Sequence, residues 1–450
     1  MMNRLFTLLI ILFISTPLFS QVTIHRDPEI AGMVAEVSSD SLRSYITDLV
    51  SFGTRHLLST QSDSKKGIGA ARNYVLRRFN QFAQASGGRM TCFIDTTTLP
   101  ADGKRVNRPV LLGNVMAVLK GTNPADKRVF IISGHLDSRR INVMDSVGDA
   151  PGANDDASGV AAVMECARIM SSHAFSGTVI FVAVSGEEQG LLGSAYLAQR
   201  AKDEGWDVRA VLNNDIVGSN NSTETHIINN TQFRVFSEGI PHYETEKQIK
   251  RIISLGLEND GASRQLARYV KEVGERYTDN LTVMLEYRTD RFLRGGDHLP
   301  FLERGMTAVR LTEMNENFNH QHQDVRVENG VQYGDLAMFM DFEYLRKNTC
   351  INLSTLANLA KAPGAPGNVV IEVRNLSNES LLRWKAPVEQ KAAGFYVLLR
   401  PTAESMWTKK FFTKETEIRL PYSKDNYFFA VQSVSESGNE SLPIVPVPGR

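Results

Sequence analysis

The 450-residue chain is poor in cysteine, has no excess of charge of either sign, and beyond its first twenty residues has no long apolar run. Its three cysteines, Cys92, Cys166 and Cys350, stand far apart and form no CxxC pair. They allow at most one disulfide and exclude a cysteine-built metal site. Cys166 lies in an apolar helical stretch and reads as a small core residue. Lys and Arg number 50, as do Asp and Glu, so no global field favours nucleic acid or an anionic membrane. A lipid-spanning helix needs about 20 apolar residues, and no stretch after the N-terminus reaches that length. There is no long internal repeat and no low-complexity tract. What remains is ordinary globular composition, 42% hydrophobic and 22% charged, long enough for two or three domains.

The N-terminus carries information. Arg4 precedes an apolar run over residues 5–14, then small and turn residues up to Ser20. A basic start, an apolar core of roughly 7–15 residues and a short exit make a secretory signal. The expected signal peptide is 1–20, with a mature chain starting near Gln21 in the periplasm or the medium.

Residues 21–110 read as lead-in structure, with helical spacing over 39–50 and over 67–85, where Ala71, Tyr74, Val75 and Phe79 mark one face. Next come short, continuous, β-branched runs at 129–133, 179–184 and 210–212, the kind buried on both faces of a sheet. Helical patterns at 159–170 and 191–202 separate them. This alternation predicts an α/β domain with a largely parallel central sheet, ending near residue 360. Residues 361–367 are a Pro/Gly linker by composition. Beyond, strand-like runs at 369–373, 381–384, 394–399, 416–420 and 427–434 predict a β-sandwich over 368–450.

Acidic and imidazole side chains gather at the strand exits. The first strand ends in Gly134-His135-Leu136-Asp137-Ser138. His135 and Asp137 are two apart and point the same way in extended chain. A metal-ligating histidine commonly has its second nitrogen held by a carboxylate, which makes His135 a candidate ligand and Asp137 its partner. Asp155 and Asp156 adjoin in a Gly-rich turn, where like charges repel unless cations or donors compensate. Glu187 and Glu188 follow the second strand; one could ligate a metal while the other acts as general base. Asp215 leaves the third. Each has a plainer reading alone: a surface hydrogen bond, a helix cap, a charged helix start. Three strand exits and one loop delivering such groups together point beyond the carboxyl ends of an open α/β sheet, where ligand sites lie. Oxygen ligands plus imidazole suit zinc, cobalt or manganese.

With GHLDS at 134–138, GANDDASG at 152–159, SGEEQGLLGS at 185–194 and NND at 213–215, the sequence resembles peptidase family M28, the leucyl aminopeptidase-like metallopeptidases with two co-catalytic zincs. The likeness covers roughly residues 40–350. It implies a three-layer zinc-peptidase domain and an aminopeptidase acting on peptides with a free N-terminus, exported by the N-terminal signal described above. By that resemblance Asp155 bridges two Zn2+ ions, His135 and Asp215 complete one site, and Glu188 with a later histidine completes the other. Glu187 is the general base, Asp137 orients His135, and the 155–156 peptide bond is cis. The last histidine is His322 or, as the alternative, His320, which has Asp324 at the family's four-residue offset; the Ser/Thr that follows the family's histidine is missing after both. Gly296-Asp297-His298 resembles a supporting stretch, with glycine replacing serine. The C-terminal run, with Leu382-Arg-Trp384, Gly394-Phe-Tyr-Val397 and Tyr427-Phe-Phe-Ala-Val431, resembles a fibronectin type III module. Such a module could attach the protein to a surface or glycan, or pack against the catalytic domain. Glutaminyl cyclases share parts of these motifs, and a dipeptidase, a carboxypeptidase or a non-enzymatic binding protein are the other readings. Loops including 219–260 and 284–296 carry the substrate preference, which the sequence does not state.

Overall fold

The computed structural model describes residue 22, residues 24–388 and residues 390–449; the expected signal peptide lies outside them. Among the described residues one large sheet contains β1 (Met90–Leu99), β2 (Val110–Leu119), β3 (Arg128–His135), β4 (Thr178–Val184), β5 (Asp207–Asn214), β6 (Gln232–Phe236), β7 (Thr282–Glu286) and β8 (Ala308–Glu313). Their order is β1-β2-β4-β3-β5-β8-β6-β7. The central strands β4, β3, β5 and β8 run parallel. β1 and β2 add antiparallel pairs at one edge, while β6 is antiparallel to β8 and parallel to β7 at the other. The sheet is therefore mixed, with its parallel part at the centre.

The helices are α1 (Pro28–Ala35), α2 (Ser39–Val50), α3 (Gly67–Ala83), α4 (Ala157–Met170), α5 (Leu192–Asp203), α6 (Glu246–Ser254), α7 (Ala262–Tyr277), α8 (Leu299–Leu302) and α9 (Phe342–Lys361). Apolar residues of α1–α4, α7 and α9 pack on one sheet face with Phe130, Ile132 and Leu212. Leu197 of α5 and Phe301 of α8 pack on the other with Ile131 and Val211. Neighbouring strand residues thus enter opposite cores, which is why the central strands read as unbroken apolar runs. No helix among the described residues is long and apolar enough to cross a membrane.

The winding direction puts the site where it is. From β3 the chain passes through α4 to β4 on one side, then through α5 to β5 on the other side of β3. The carboxyl ends of β3, β4, β5 and β8 therefore open onto one crevice. α9, buried along almost its whole length, braces that end of the sheet. Asn352 Nδ2 donates to Asn214 Oδ1 at 2.8 Å, and Asn348 Nδ2 to the Val217 carbonyl at 2.7 Å. Both contacts flank Asp215.

A hairpin, β9 (Arg326–Glu328) and β10 (Val331–Tyr333), follows the sheet. After α9 come β11 (Gly367–Glu372), β12 (Ser380–Lys385), β13 (Gly394–Pro401), β14 (Lys409–Thr413), β15 (Glu417–Leu420), β16 (Tyr427–Val434) and β17 (Val447–Gly449). They form a four-stranded sheet, β15-β12-β11-β17, and a three-stranded sheet, β14-β13-β16. Val369, Leu382, Trp384, Phe395, Val397 and Val431 share a core between them. The 361–367 stretch is not a free tether: Lys361 closes α9, Gly367 opens β11, and Arg128 donates to the carbonyls of Ala362 (2.7 Å) and Pro363 (3.0 Å).

The C-terminal strands dock on α7. Arg400 Nη2 lies 2.5 Å from Asp260 Oδ2, whose Oδ1 receives Arg268 Nη1 at 3.0 Å. Glu440 takes Arg276 and Asn358 and lies 3.7 Å from Lys410 Nζ. Burial acts to raise the Glu440 pKa, but Arg276 and Lys410 outweigh it and hold it below the usual glutamate range. A folded-state pKa below the unfolded value of about 4.3 gives stability that is present above that pH and lost as pH falls through the folded value. Glu440→Gln is therefore expected to destabilise the protein at pH 7 by about 1–3 kcal/mol, since Arg276 then keeps only the longer 3.7 Å approach of Glu272 as an ion pair. In chemical denaturation the gap from the parent should narrow below about pH 4; a gap independent of pH would contradict the ion-pair account.

Candidate metal centre

His135 ends β3, and its two ring nitrogens face different partners. Nδ1 lies 3.0 Å from the backbone carbonyl of Asp137. Nε2 lies 3.0 Å from Asp155 Oδ1 and 3.9 Å from Asp215 Oδ1. Asp155 sits in the turn before α4, and its other oxygen, Oδ2, lies 2.9 Å from His322 Nε2. One carboxylate is thus shared by two histidines from distant parts of the chain. Gln321 Nε2 also donates to Asp155 Oδ2, at 3.1 Å.

The adjacent acid does different work. Asp156, joined to Asp155 by a cis peptide bond, caps α4 by accepting from Gly159 N at 2.9 Å. It also accepts from His135 N (2.8 Å) and Ile216 N (3.2 Å). Asp156 thereby pins the ends of β3 and β5 to the start of α4, leaving Asp155 open to the cleft. Asp335 accepts from the Asp155 backbone N–H at 2.7 Å and from Asn154 N, which holds the turn from the other side.

Asp137 departs from its expected part. Its carboxylate is 3.9 Å from His135 Nδ1, beyond hydrogen-bond reach. It accepts instead from the backbone N–H groups of Gly186 (2.7 Å), Glu187 (3.2 Å) and Glu188 (3.0 Å). Three donors converging in that turn compete for the carboxylate, and the residue's backbone carbonyl takes over at the imidazole. Asp137 so fixes the turn that aims Glu187 and Glu188.

Two sets of donors result. Ligand atoms of His135, Asp155 and Asp215 lie within 4.8 Å of one another, and so do those of Asp155, Glu188 and His322. Glu188 Oε1 is buried, 3.0 Å from His322 Nε2, yet has no hydrogen-bond partner. Burial acts to lower the His322 pKa, but Glu188 and Asp155 push it up to about 10. Burial likewise opposes a charged His135, and Asp156 and Asp155 raise its pKa well above the ordinary value. Carboxylates that hold protons on buried imidazoles form a site of high affinity for positive charge, and two imidazoles with three carboxylates are a donor set that suits a transition dication. Glu187 stands on the wall of the same cleft, about 580 Å³ in volume. Burial first, then Glu188 and Asp215, raise its carboxyl well above the ordinary range against the opposing pull of His135.

His320 stays out of both sets. Its ring stacks on Phe339 with centroids 3.7 Å apart, and burial lowers its pKa to about 4. Of the two histidines left open by the sequence, the chain turns His322 toward Asp155 and Glu188.

Residues 114–339 match the model of Peptidase family M28. A probable zinc metalloprotease of Leptosphaeria maculans is 44% identical over 424 residues, covering 94% of this chain and 98% of its own. The chain belongs to peptidase family M28. A probable zinc metalloprotease of Pyricularia oryzae is 43% identical, over 94% of this chain and 85% of its own. Among solved structures, the LapA aminopeptidase of Legionella pneumophila aligns with a TM-score of 0.53 at 20% identity, covering 75% of this chain and 76% of that one. An aminopeptidase from Aneurinibacillus sp. strain AM-1 aligns with a TM-score of 0.50 at 16% identity, covering 75% and 97%. At these identities the two structures share the M28 fold with this chain, a mixed α/β architecture around a large sheet.

This M28 peptidase also has groups at its centre that sequence motifs do not point to. Arg310, fully buried in β8, places Nη2 2.9 Å from Asp215 Oδ2 and Nη1 3.2 Å from Asp290. A lone arginine inside an apolar strand demands a buried anion, and that was its only signal. Arg310 holds the Asp215 carboxyl well below the usual range although burial pulls the other way. Gln321 and Asp335 carry no pattern signal. Asp297 accepts from Ser194 Oγ at 2.5 Å, and His298 Nε2 lies 2.8 Å from the Thr289 carbonyl; both brace the loop beside the cleft.

Proposed function

We propose that this M28 peptidase is an exported aminopeptidase that hydrolyses the first peptide bond of substrates with a free N-terminus, using two zinc ions. The observation that carries the reading is Asp155, whose two carboxylate oxygens face His135 and His322 separately. His135, Asp155 and Asp215 would hold one ion, and Asp155, Glu188 and His322 the other. The chain's relatives among probable zinc metalloproteases support zinc, and its structural likeness to aminopeptidases supports the substrate class. Bound zinc supplies Lewis acidity for the scissile carbonyl and makes a water acidic near neutral pH.

The chain's own groups do the rest. Asp137 holds the Gly186–Glu188 backbone, so that Glu187 is fixed in the cleft. Glu187, on the wall of the cleft and outside both donor sets, takes the proton of the attacking water and delivers it to the leaving amine. Arg310 fixes one oxygen of Asp215, leaving Oδ1 for the centre. Export rests on the basic and apolar pattern of residues 1–20. We assign residues 368–450 to a fibronectin type III-like β-sandwich that braces the peptidase domain, as the buried pairs Arg400–Asp260 and Arg276–Glu440 favour.

Leucyl- and alanyl-nitroanilide, their N-acetyl forms and a glutaminyl peptide separate the readings. The free-amino substrates should turn over, the acetylated ones should not, and a chelator should abolish the activity until zinc is restored. Cleavage of the acetylated forms at equal rate, or cyclisation of the glutaminyl peptide without nitroaniline release, would overturn the aminopeptidase assignment.

A further inference from the structure

The cleft that holds the acidic centre is walled by arginine. Arg105 and Arg139 stand on the Glu188 side, and Arg291 and Arg294 on the Asp215 side. Arg291 and Arg294 share one carboxylate, Glu316, at 3.1 Å and 2.8 Å, and Arg234 competes for it at 3.0 Å. Asp290 is divided between Arg291 and Arg310. Arg105 spends Nη1 on the backbone carbonyl of Glu188 at 2.8 Å. Arg139 approaches Glu188 Oε2 only to 3.7 Å, and its Nε is buried with no hydrogen-bond partner.

Of the four arginines that line the cleft, Arg105, Arg139, Arg291 and Arg294, only the last two are ion-paired, among the described residues, to carboxylates outside the centre, Asp290 and Glu316. Guanidinium groups are planar forks matched to carboxylates, and cations focused in a cleft select anions. An orphaned buried Nε has the same preference, because leaving it unpaired is costly.

We infer that the enzyme selects substrates bearing a carboxylate next to the scissile bond, held by Arg139 and Arg105 on one wall or Arg294 on the other. This rests on the aminopeptidase reading. The carboxylate could be an Asp or Glu side chain on either flanking residue, or the C-terminal carboxylate of a dipeptide.

Three matched pairs distinguish these sources: Glu-Ala-amide against Gln-Ala-amide, Ala-Glu-amide against Ala-Gln-amide, and Leu-Ala against Leu-Ala-amide. In at least one pair kcat/KM should favour the acid by about tenfold or more, the scale of a charged hydrogen bond. That ratio should shrink as salt rises and fall toward one in R139Q or R294Q. Taking the ratio within each variant cancels any general loss of activity. Ratios within twofold in all three pairs, from an enzyme that hydrolyses the neutral members, would overturn this inference and leave the aminopeptidase reading standing. Hydrolysis of no member of any pair would overturn both.

Discussion

Glu187→Gln is expected to keep the parental metal content while kcat falls by about 10²–10⁴-fold, the usual contribution of a positioned general base. The amide is nearly isosteric, and the side chain belongs to neither donor set. The backbone of the turn is held by Asp137 whatever residue 187 carries, so the fold should not register the change. In the proposed mechanism what is lost is an acceptor for the proton of water. KM should change little, because the loss falls on the transition state. Parental turnover by the variant would remove Glu187 from the mechanism. Loss of metal together with activity would make it a ligand instead.

The second large effect separates the two late histidines. His322→Ala removes a nitrogen 2.9 Å from Asp155 and 3.0 Å from Glu188. One of two zincs should be lost on dialysis. Lewis-acid stabilisation of several kcal/mol goes with it, more than about a hundredfold in kcat/KM. His320→Ala should hold both ions, because that ring is stacked on Phe339 and faces neither donor set. Its cost is the lost aromatic contact, about 0.5–1.5 kcal/mol in stability. Metal content measured after dialysis, with kcat/KM alongside, checks both variants. Equal behaviour of the two would contradict the geometry.

Much of this was legible in the sequence because the relevant physics is local. The runs at 129–133 and 179–184 are unbroken because β3 and β4 are buried on both faces, and the helical patterns at 159–170 and 191–202 correspond to α4 and α5 because their apolar spacing matches the two core layers. His135, Asp215 and the pairs Asp155/Asp156 and Glu187/Glu188 stood out since each leaves a strand or turn at one end of a parallel sheet, while the choice of Asp155 and Glu188 within their pairs came from the resemblance to family M28. The rest depends on contacts between distant segments. The role of Asp137 turns on the Gly186–Glu188 backbone, about fifty residues away, and no spacing within 134–138 reports those three N–H groups. His320 and His322 have nearly the same local text; what divides them is Phe339 on one side and Glu188 on the other. Arg310 sits in a strand whose apolar pattern conceals that Asp215 and Asp290 surround it. The linker composition of 361–367 was real, but Arg128 from β3 captures its carbonyls. The short strands β14 and β17 lacked a pattern because each is completed by pairing, β14 with β13 and β17 with β11.

Anomalous diffraction at the zinc absorption edge, from crystals of the zinc-replete protein, tests the centre directly. Two peaks are predicted, one within about 2.0–2.2 Å of His135, Asp155 and Asp215 and the other equally close to Asp155, Glu188 and His322. A single peak, or zinc bound away from Asp155, would contradict the account.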